Sequence, residues 1–376
     1  MNGRPLIAVY SQVHAGHVPA YHRLYREKFE AAGCDVLDVP ADRPGLLGRI
    51  AAQLDRWPRW RGCRAWQQAA VRIQLAERRA GRPVAGIFIV YLDLGFLETA
   101  ITPSEVDRWF PRPWAGVINA PRAVRGPVEA FSGIERVLAA ASCRALVVTD
   151  PAFVPRCQAA WPGRTVVAMP EVADLSAPGQ PPRLRELRAF ARGRRLVGSV
   201  GVFGAKKNIP ALLALARRAE KELPDVAFFL AGDFSRQACP GPERRDLQRQ
   251  LADRPGNVAV FPEPIADGAE FNAWVAACDV VWLAYRDVAY KSNVLTKAAH
   301  FRKPVLVSPG QVMAEHTLAH RLGAVVDPAD TGAALAALRG LLSGPAVERD
   351  FAGFVAANSA AALDATVATV VRALTS

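Results

Sequence analysis

Apolar residues in this chain come as short uninterrupted runs separated by longer amphipathic stretches. That is the pattern of buried parallel strands alternating with helices. Leu6-Ile7-Ala8-Val9-Tyr10 reads as a first strand, a helix runs from about Pro19 to Ala32 and stops at Gly33, and Val36-Leu37-Asp38-Val39 is a second strand. Further strands fall at Gly86 to Tyr91, Ala115 to Ile118, Ala145 to Thr149 and Thr165 to Ala168, with helices around Glu129 to Ala141 and after Pro151. A βαβ opening with a glycine in its first loop is what a doubly wound sheet requires.

The stretch Ser176 to Arg195 is rich in Pro, Gly and Arg and reads as a linker with a short helix. The alternation then restarts. Strands are expected at Leu196 to Phe203, Val226 to Ala231, Asn257 to Phe261, Val280 to Leu283 and Val305 to Val307, and a last one near Ala324-Val325-Val326. Between them, Pro210 to Leu223 reads as a helix with proline in its first turn. Asp267 to Ala277 and Thr331 to Leu342 are also helical, and a final helix covers about Ala360 to Leu374. Ser292-Asn293 suits a helix start, since both residues cap free amides, and Pro304 stops that helix. At 376 residues the chain suits two domains. Residues 1–176 form the first, 177–195 the linker, 196–348 the second, and 349–376 a C-terminal helical segment.

Composition narrows the class. With 51% apolar and 22% charged residues the protein is an ordinary globular one. Met1 to Pro5 leads directly into a strand, with no signal-peptide pattern, and no apolar stretch approaches the roughly 20 residues of a spanning helix. A cytoplasmic protein is expected. Cys34, Cys63, Cys143, Cys157, Cys239 and Cys278 lie too far apart for a zinc or disulfide framework, so buried free thiols are expected.

The net charge of +12 points to an anionic partner or to an Arg-rich coding bias. Only seven of the 47 basic residues are lysines, and five of those, Lys206, Lys207, Lys291, Lys297 and Lys303, fall in two short stretches of the second domain. A compact ammonium suits a phosphate, so the clustering favours a phosphate site. From Arg43 to Arg82 ten arginines stand against Asp55 and Glu77, interleaved with Trp57, Trp60 and Trp66. Trp57, Arg59, Trp60, Arg61 and Arg64 form a candidate face for an anionic membrane surface. A helix packing its Trp residues on the core is the equal alternative, and single-stranded nucleic acid is disfavoured.

No Gly-x-Gly-x-x-Gly, Walker loop or Ser-His-Asp order is present, which argues against a dinucleotide enzyme, an ATPase and a serine hydrolase. In the loop after the first strand, Gly16 permits close backbone approach, and His14 and His17 are candidates for acceptor binding or proton transfer, or ordinary loop histidines. Asp93 is a further acidic candidate on that side, with helix capping as its competing role.

Several features recur in order from Leu196 to Pro304. They are a strand with Gly201 and Lys207-Asn208 at a helix start, a strand with Gly232-Asp233, a strand closing at Phe261, Asp279 before a strand, and Ser292 to Pro304. Together they resemble the C-terminal half of glycosyltransferases of the GT-B fold, family-4 type. The resemblance implies an α/β protein with two facing Rossmann-like domains, the first on the acceptor side and the second holding a nucleotide-diphosphate sugar, with the C-terminal helix crossing back to the first. It implies a retaining transfer that needs neither cofactor nor metal. Lys207 matches the basic residue that neutralises the donor diphosphate.

The expected donor site comprises Gly201, Lys206, Lys207, Asn208, Gly232 and Asp233, then Glu263, Tyr285 and Tyr290, then Ser292, Asn293, Val294 and Lys297. Lys207, His17 and Asn119 are the candidate catalytic residues. The chain departs from the family pattern at Val202, where an Arg is usual, at Asn119 in place of His, and at Ala289 and Lys297 in place of two Glu. Those changes are also what a non-catalytic binding or scaffold subunit would show. The Arg-Trp segment points to a glycan or lipid-linked acceptor made at a membrane.

Overall fold

Strands stand at the short apolar runs because a strand covered on both faces has no polar face to alternate with. The computed structural model of the protein describes residues 3–12, 18–40, 58–93, 96–97, 101–118, 134–234, 241–286, 291–310, 312–343 and 347–376. Within them lie two six-stranded sheets, paired in parallel throughout. The first contains β1 (Leu6–Tyr10), β2 (Asp35–Val39), β3 (Gly86–Ile89), β4 (Trp114–Ile118), β5 (Cys143–Val148) and β6 (Thr165–Ala168), in the order β2-β1-β3-β4-β5-β6. The second contains β7 (Arg195–Val200), β8 (Val226–Ala231), β9 (Val258–Phe261), β10 (Val280–Leu283), β11 (Val305–Val307) and β12 (Gly323–Val325), in the order β12-β11-β10-β7-β8-β9.

By contacts the chain divides into Met1–Pro170 with Ala360–Ser376, and Glu171–Ser359. Each unit is a doubly wound α/β sheet. Strand order reverses between β1 and β3 in one and between β7 and β10 in the other, and in such sheets ligands bind beyond the strand carboxyl ends at the reversal.

The first unit's core is anchored by Trp66 on the helix Pro58–Ala80. Its ring meets Phe96, Phe110 and Trp114 edge-on at 4.9, 5.1 and 5.2 Å between centroids. Its indole N–H, which burial would otherwise leave unpaired, donates to Phe96 O at 3.1 Å. One tryptophan of the basic stretch is therefore core. Arg64 is half-buried, while Trp57 and the side chains of Arg59, Trp60 and Arg61 lie outside the described residues.

Two expectations are corrected. The described part of the helix expected over Glu129 to Ala141 is a 3₁₀ turn, Ile134–Ala139, which closes through an Ala140 N–H to Val137 O bond of 3.1 Å. The short helix expected in the Ser176 to Arg195 stretch is Pro182–Ala191, which buries Leu184, Leu187 and Ala191 in the second unit's core. Phe351–Thr375 is, by length and composition, apolar enough to cross a membrane. It is two helices, Phe351–Ala357 and Ala360–Thr375. The first buries Phe351 and Phe354 in the second unit, and the other buries Leu363, Val367, Val370 and Leu374 in the first. Its apolar character is thus engaged by two cores.

Cys34, Cys143, Cys157 and Cys278 are buried free thiols and Cys63 is a half-buried one. Burial pushes Cys143 and Cys278 up to about 12, which keeps both as unreactive thiols. Cys239 lies outside the described residues.

Candidate functional site

The reversal between β7 and β10 is where the second unit's candidate chemistry gathers. β7 ends at Val200, and the chain turns at Gly201 with φ +119°, beside Gly232 with φ +146°. A Cβ on Gly232 would fall 1.8 Å from Gly201 O, so only glycine lets the turn after β8 close on the turn after β7. The closure is a pair of hydrogen bonds, Asp233 N–H to Gly201 O at 3.1 Å and Phe203 N–H to Asp233 O at 2.9 Å. Beyond it come a 3₁₀ turn, Ala205–Lys207, then Asn208 in the left-handed region at φ 51°, then the helix Ile209–Glu222.

Lys207 folds back over this turn. Its ammonium donates to Val200 O at 3.0 Å and to Tyr285 Oη at 2.5 Å, and lies 4.3 Å from the centre of the Tyr285 ring. Burial lowers its pKa from 10.5 to about 7, because an enclosed ammonium loses hydration that a phenol and a carbonyl only partly replace. A Cβ on Gly201 would sit 3.5 Å from Lys207 Nζ, so the glycine leaves open the space beside the ammonium.

Tyr285 follows β10 and is itself buried. The loops after β7 and β10 are cross-linked by Asn208 Nδ2 to Ala284 O at 3.2 Å, Arg286 N–H to Lys206 O at 2.9 Å and Trp282 Nε1 to Lys207 O at 3.4 Å. Ser308 Oγ, at the end of β11, donates to Tyr285 O at 2.6 Å. A cavity of about 480 Å³ opens beside them, lined by Asn208, Tyr285, Arg286, Ser308 and Thr331 among others.

The helix after β10 is Asn293–His300, with Ser292 as a cap residue whose side chain makes no capping bond. Its amphipathic face buries Val294 and Leu295 in the core, which fixes its start near the carboxyl end of β10. Lys297 lies on that same buried face and is 0% exposed. Its three N–H donors go to Asp174 O at 2.8 Å, Asn272 Oδ1 at 2.8 Å and Asp267 Oδ1 at 2.9 Å. Asn272 in turn donates to Ser176 O at 2.9 Å and Asp174 O at 3.2 Å. Hydrogen bonds from the Ser176 side chain and backbone hold the Asp174 carboxyl below the usual range. Lys297, expected at a donor phosphate, is turned inward onto the segment that begins the second unit.

The remaining expected residues separate. Asn208 is buried, Asp233 is half-buried and Lys206 is exposed. Glu263 is ion-paired with Arg183. Asp93 is half-buried just beyond β3, at the strand reversal of the first unit. His14, Gly16, His17, Asn119, Ala289 and Tyr290 lie outside the described residues. Among the described residues no group of three or more His, Cys, Asp or Glu is arranged to hold a metal ion. Asn272 was missed from sequence, although an amide within the apolar helix Ala269–Ala277 is a readable signal of a buried polar contact. Lys291, 8% exposed, is a second buried lysine beside the site.

No family model matches the chain, and no curated protein matches it. Solved structures do. Sucrose-phosphate synthase from Thermosynechococcus elongatus is similar with a TM-score of 0.67 and 18% identity over 99% of both chains. A UDP-forming α,α-trehalose-phosphate synthase from Burkholderia xenovorans, in complex with glucose-6-phosphate, gives 0.63 and 14% over 99% of this chain and 100% of that one. An E. coli structure described as trehalose-6-phosphate bound with UDP-2-fluoro glucose gives 0.67 and 13% over 99% of both. The chain therefore has the α/β fold of GT-B glycosyltransferases. The likeness is one of fold.

Proposed function

We propose that the protein is a glycosyltransferase that moves a sugar from a nucleoside-diphosphate donor, held by the second unit, to a sugar or glycan acceptor. One observation carries the reading: the Lys207 ammonium is fixed by Val200 O and Tyr285 Oη above a glycine turn, at the strand reversal of the second sheet. A leaving nucleoside diphosphate gains negative charge as the glycosidic bond breaks, so a cation fixed in advance favours the transition state over the ground state. The amides at the start of Asn293–His300 add partial positive charge on the neighbouring strand.

The similar structures name the ligand classes to try first. One is bound with UDP-2-fluoro glucose and another with glucose-6-phosphate, so a UDP-sugar donor and a phosphorylated-sugar acceptor come before a lipid-linked glycan. In this reading the transfer retains configuration and takes its positive charge from Lys207 and helix amides.

A thermal-shift panel of UDP, GDP, ADP, dTDP and nucleotide sugars tests it, because a ligand that binds only the folded state raises the melting temperature. One nucleoside diphosphate is expected to stabilise the wild type and to lose that effect in Lys207→Met. If none shifts the wild type, the donor site is refuted and a non-catalytic scaffold becomes the better reading.

A further inference from the structure

We infer that Tyr285 is a positioning residue for Lys207: its phenol oxygen and ring face hold the ammonium over the Gly201 turn. The consequence for a donor rests on the function proposed above; the contact itself does not. Lys207 comes early in this unit and Tyr285 follows 78 positions later, so no local propensity brings them together. The strand reversal does, by pairing β7 with β10 at Val280↔Val197 and Val281↔Gly198.

Three observations make the contact a built one. Tyr285 is 6% exposed, so its phenol is held by the core and does not wander. Its backbone is fixed on both sides, Tyr285 N–H to Leu283 O at 2.7 Å and Ser308 Oγ to Tyr285 O at 2.6 Å. Its ring and its oxygen act on the same ammonium, at 4.3 Å from the centroid and 2.5 Å. A lysine stem has four rotatable bonds, and free in water its ammonium would sample many positions. Held between Val200 O and Tyr285 Oη, it points at one.

The charged groups around Lys207 are few. Lys206 lies on its own turn, Asp233 on the turn after β8, and Arg286 next to Tyr285 after β10. From the Asn293–His300 helix comes Lys297, 5.3 Å from the Phe271 ring, which also stands 3.7 Å from where a Gly201 Cβ would be. Burial is the cause of the lowered Lys207 pKa. Tyr285 offers an acceptor to the charged form, so removing the phenol oxygen while keeping the ring disfavours the charged form further.

The test is the pH profile of Lys207 acetylation by acetic anhydride, read by peptide mass spectrometry in the full chain, for wild type, Tyr285→Phe and Ser308→Ala. Acetylation needs the free amine, so its midpoint reports the Lys207 titration. Tyr285→Phe is expected to move that midpoint by about one pH unit to lower pH at unchanged melting temperature. Ser308→Ala, which frees the backbone and leaves the phenol, moves it the same way by less. An unchanged midpoint in a folded Tyr285→Phe overturns the inference. UDP titration of the same proteins separates the two readings: if the wild type binds no nucleotide, the proposed function fails while the acetylation profile still decides the role of Tyr285.

Discussion

Lys207 and Lys297 belong to the same unit and have opposite fates. Lys297 is fully enclosed and its three donors meet three oxygens. Lys207 is half-buried as a residue with its ammonium enclosed, and that ammonium has one carbonyl and one neutral phenol, with no carboxylate among the causes of its pKa shift. A buried charge with all its bonds made is a structural strut. A desolvated charge with only neutral partners has capacity left for an anion. The difference supports the proposed donor role of Lys207 and leaves Lys297 to the chain's own backbone, although sequence spacing offered both as donor lysines.

The largest effect should come from breaking the strut. Lys297→Met leaves Asp174 O and Asn272 Oδ1 as buried acceptors without their strongest donor, at roughly 1–3 kcal/mol each. The expected loss is therefore about 2–5 kcal/mol in the second unit, measured by urea unfolding. Hydrogen exchange should rise at Glu171 to Ser176, the segment that Lys297 and Asn272 hold. Unchanged exchange there would break the comparison, because Lys297 would then be a spectator.

Lys207→Met should do the reverse. A charge-assisted hydrogen bond contributes about 1.5–3 kcal/mol, so nucleoside-diphosphate affinity should fall by roughly 10- to 100-fold. Stability should stay within about 1 kcal/mol or rise, since a desolvated amine is replaced by an apolar chain of similar length. Isothermal titration with UDP and urea unfolding of the same variant measure both. If Lys297→Met lost nucleotide binding at unchanged stability, the two assignments would have to be exchanged.

The same two lysines show how much was legible in the sequence. Strands and the Ser292-Asn293 helix start follow from runs such as Val280-Val281-Trp282-Leu283 and from Pro304, because burial on two faces and capping are local demands. Some local signals went unused. Thr102-Pro103-Ser104-Glu105 is a capping box, with Glu105 Oε2 accepting from Thr102 N–H at 2.8 Å, and it starts the helix Pro103–Trp109 that the apolar pattern had not predicted. The inward turn of Lys297 was not legible, since its partners Asn272 and Asp174 are 25 and 123 positions away. Spacing places a side chain on a helix face; only the packing of other elements decides what that face meets.

The smallest predicted effect is in pH dependence, and it has a sign. The folded-state pKa of Lys207 is about 7, below its ordinary value of 10.5. Below pH 7 both folded and unfolded chains hold the proton, and the cost of enclosing the ammonium is fully present. Between 7 and 10.5 the unfolded chain binds more protons, so stability rises with pH. From pH 7 to 8 the wild type should gain about 1 kcal/mol relative to Lys207→Met, in which the term is absent. Anion binding runs the other way. It needs the ammonium, so UDP affinity should be highest below pH 7 and fall as pH rises, by at most about tenfold per unit. Lys297→Arg, if it folds, should leave both profiles as they are. A Lys207→Met profile that tracks the wild type from pH 6 to 9 would show that this ammonium titrates as an ordinary surface lysine, and the contrast between the two residues would reduce to burial alone.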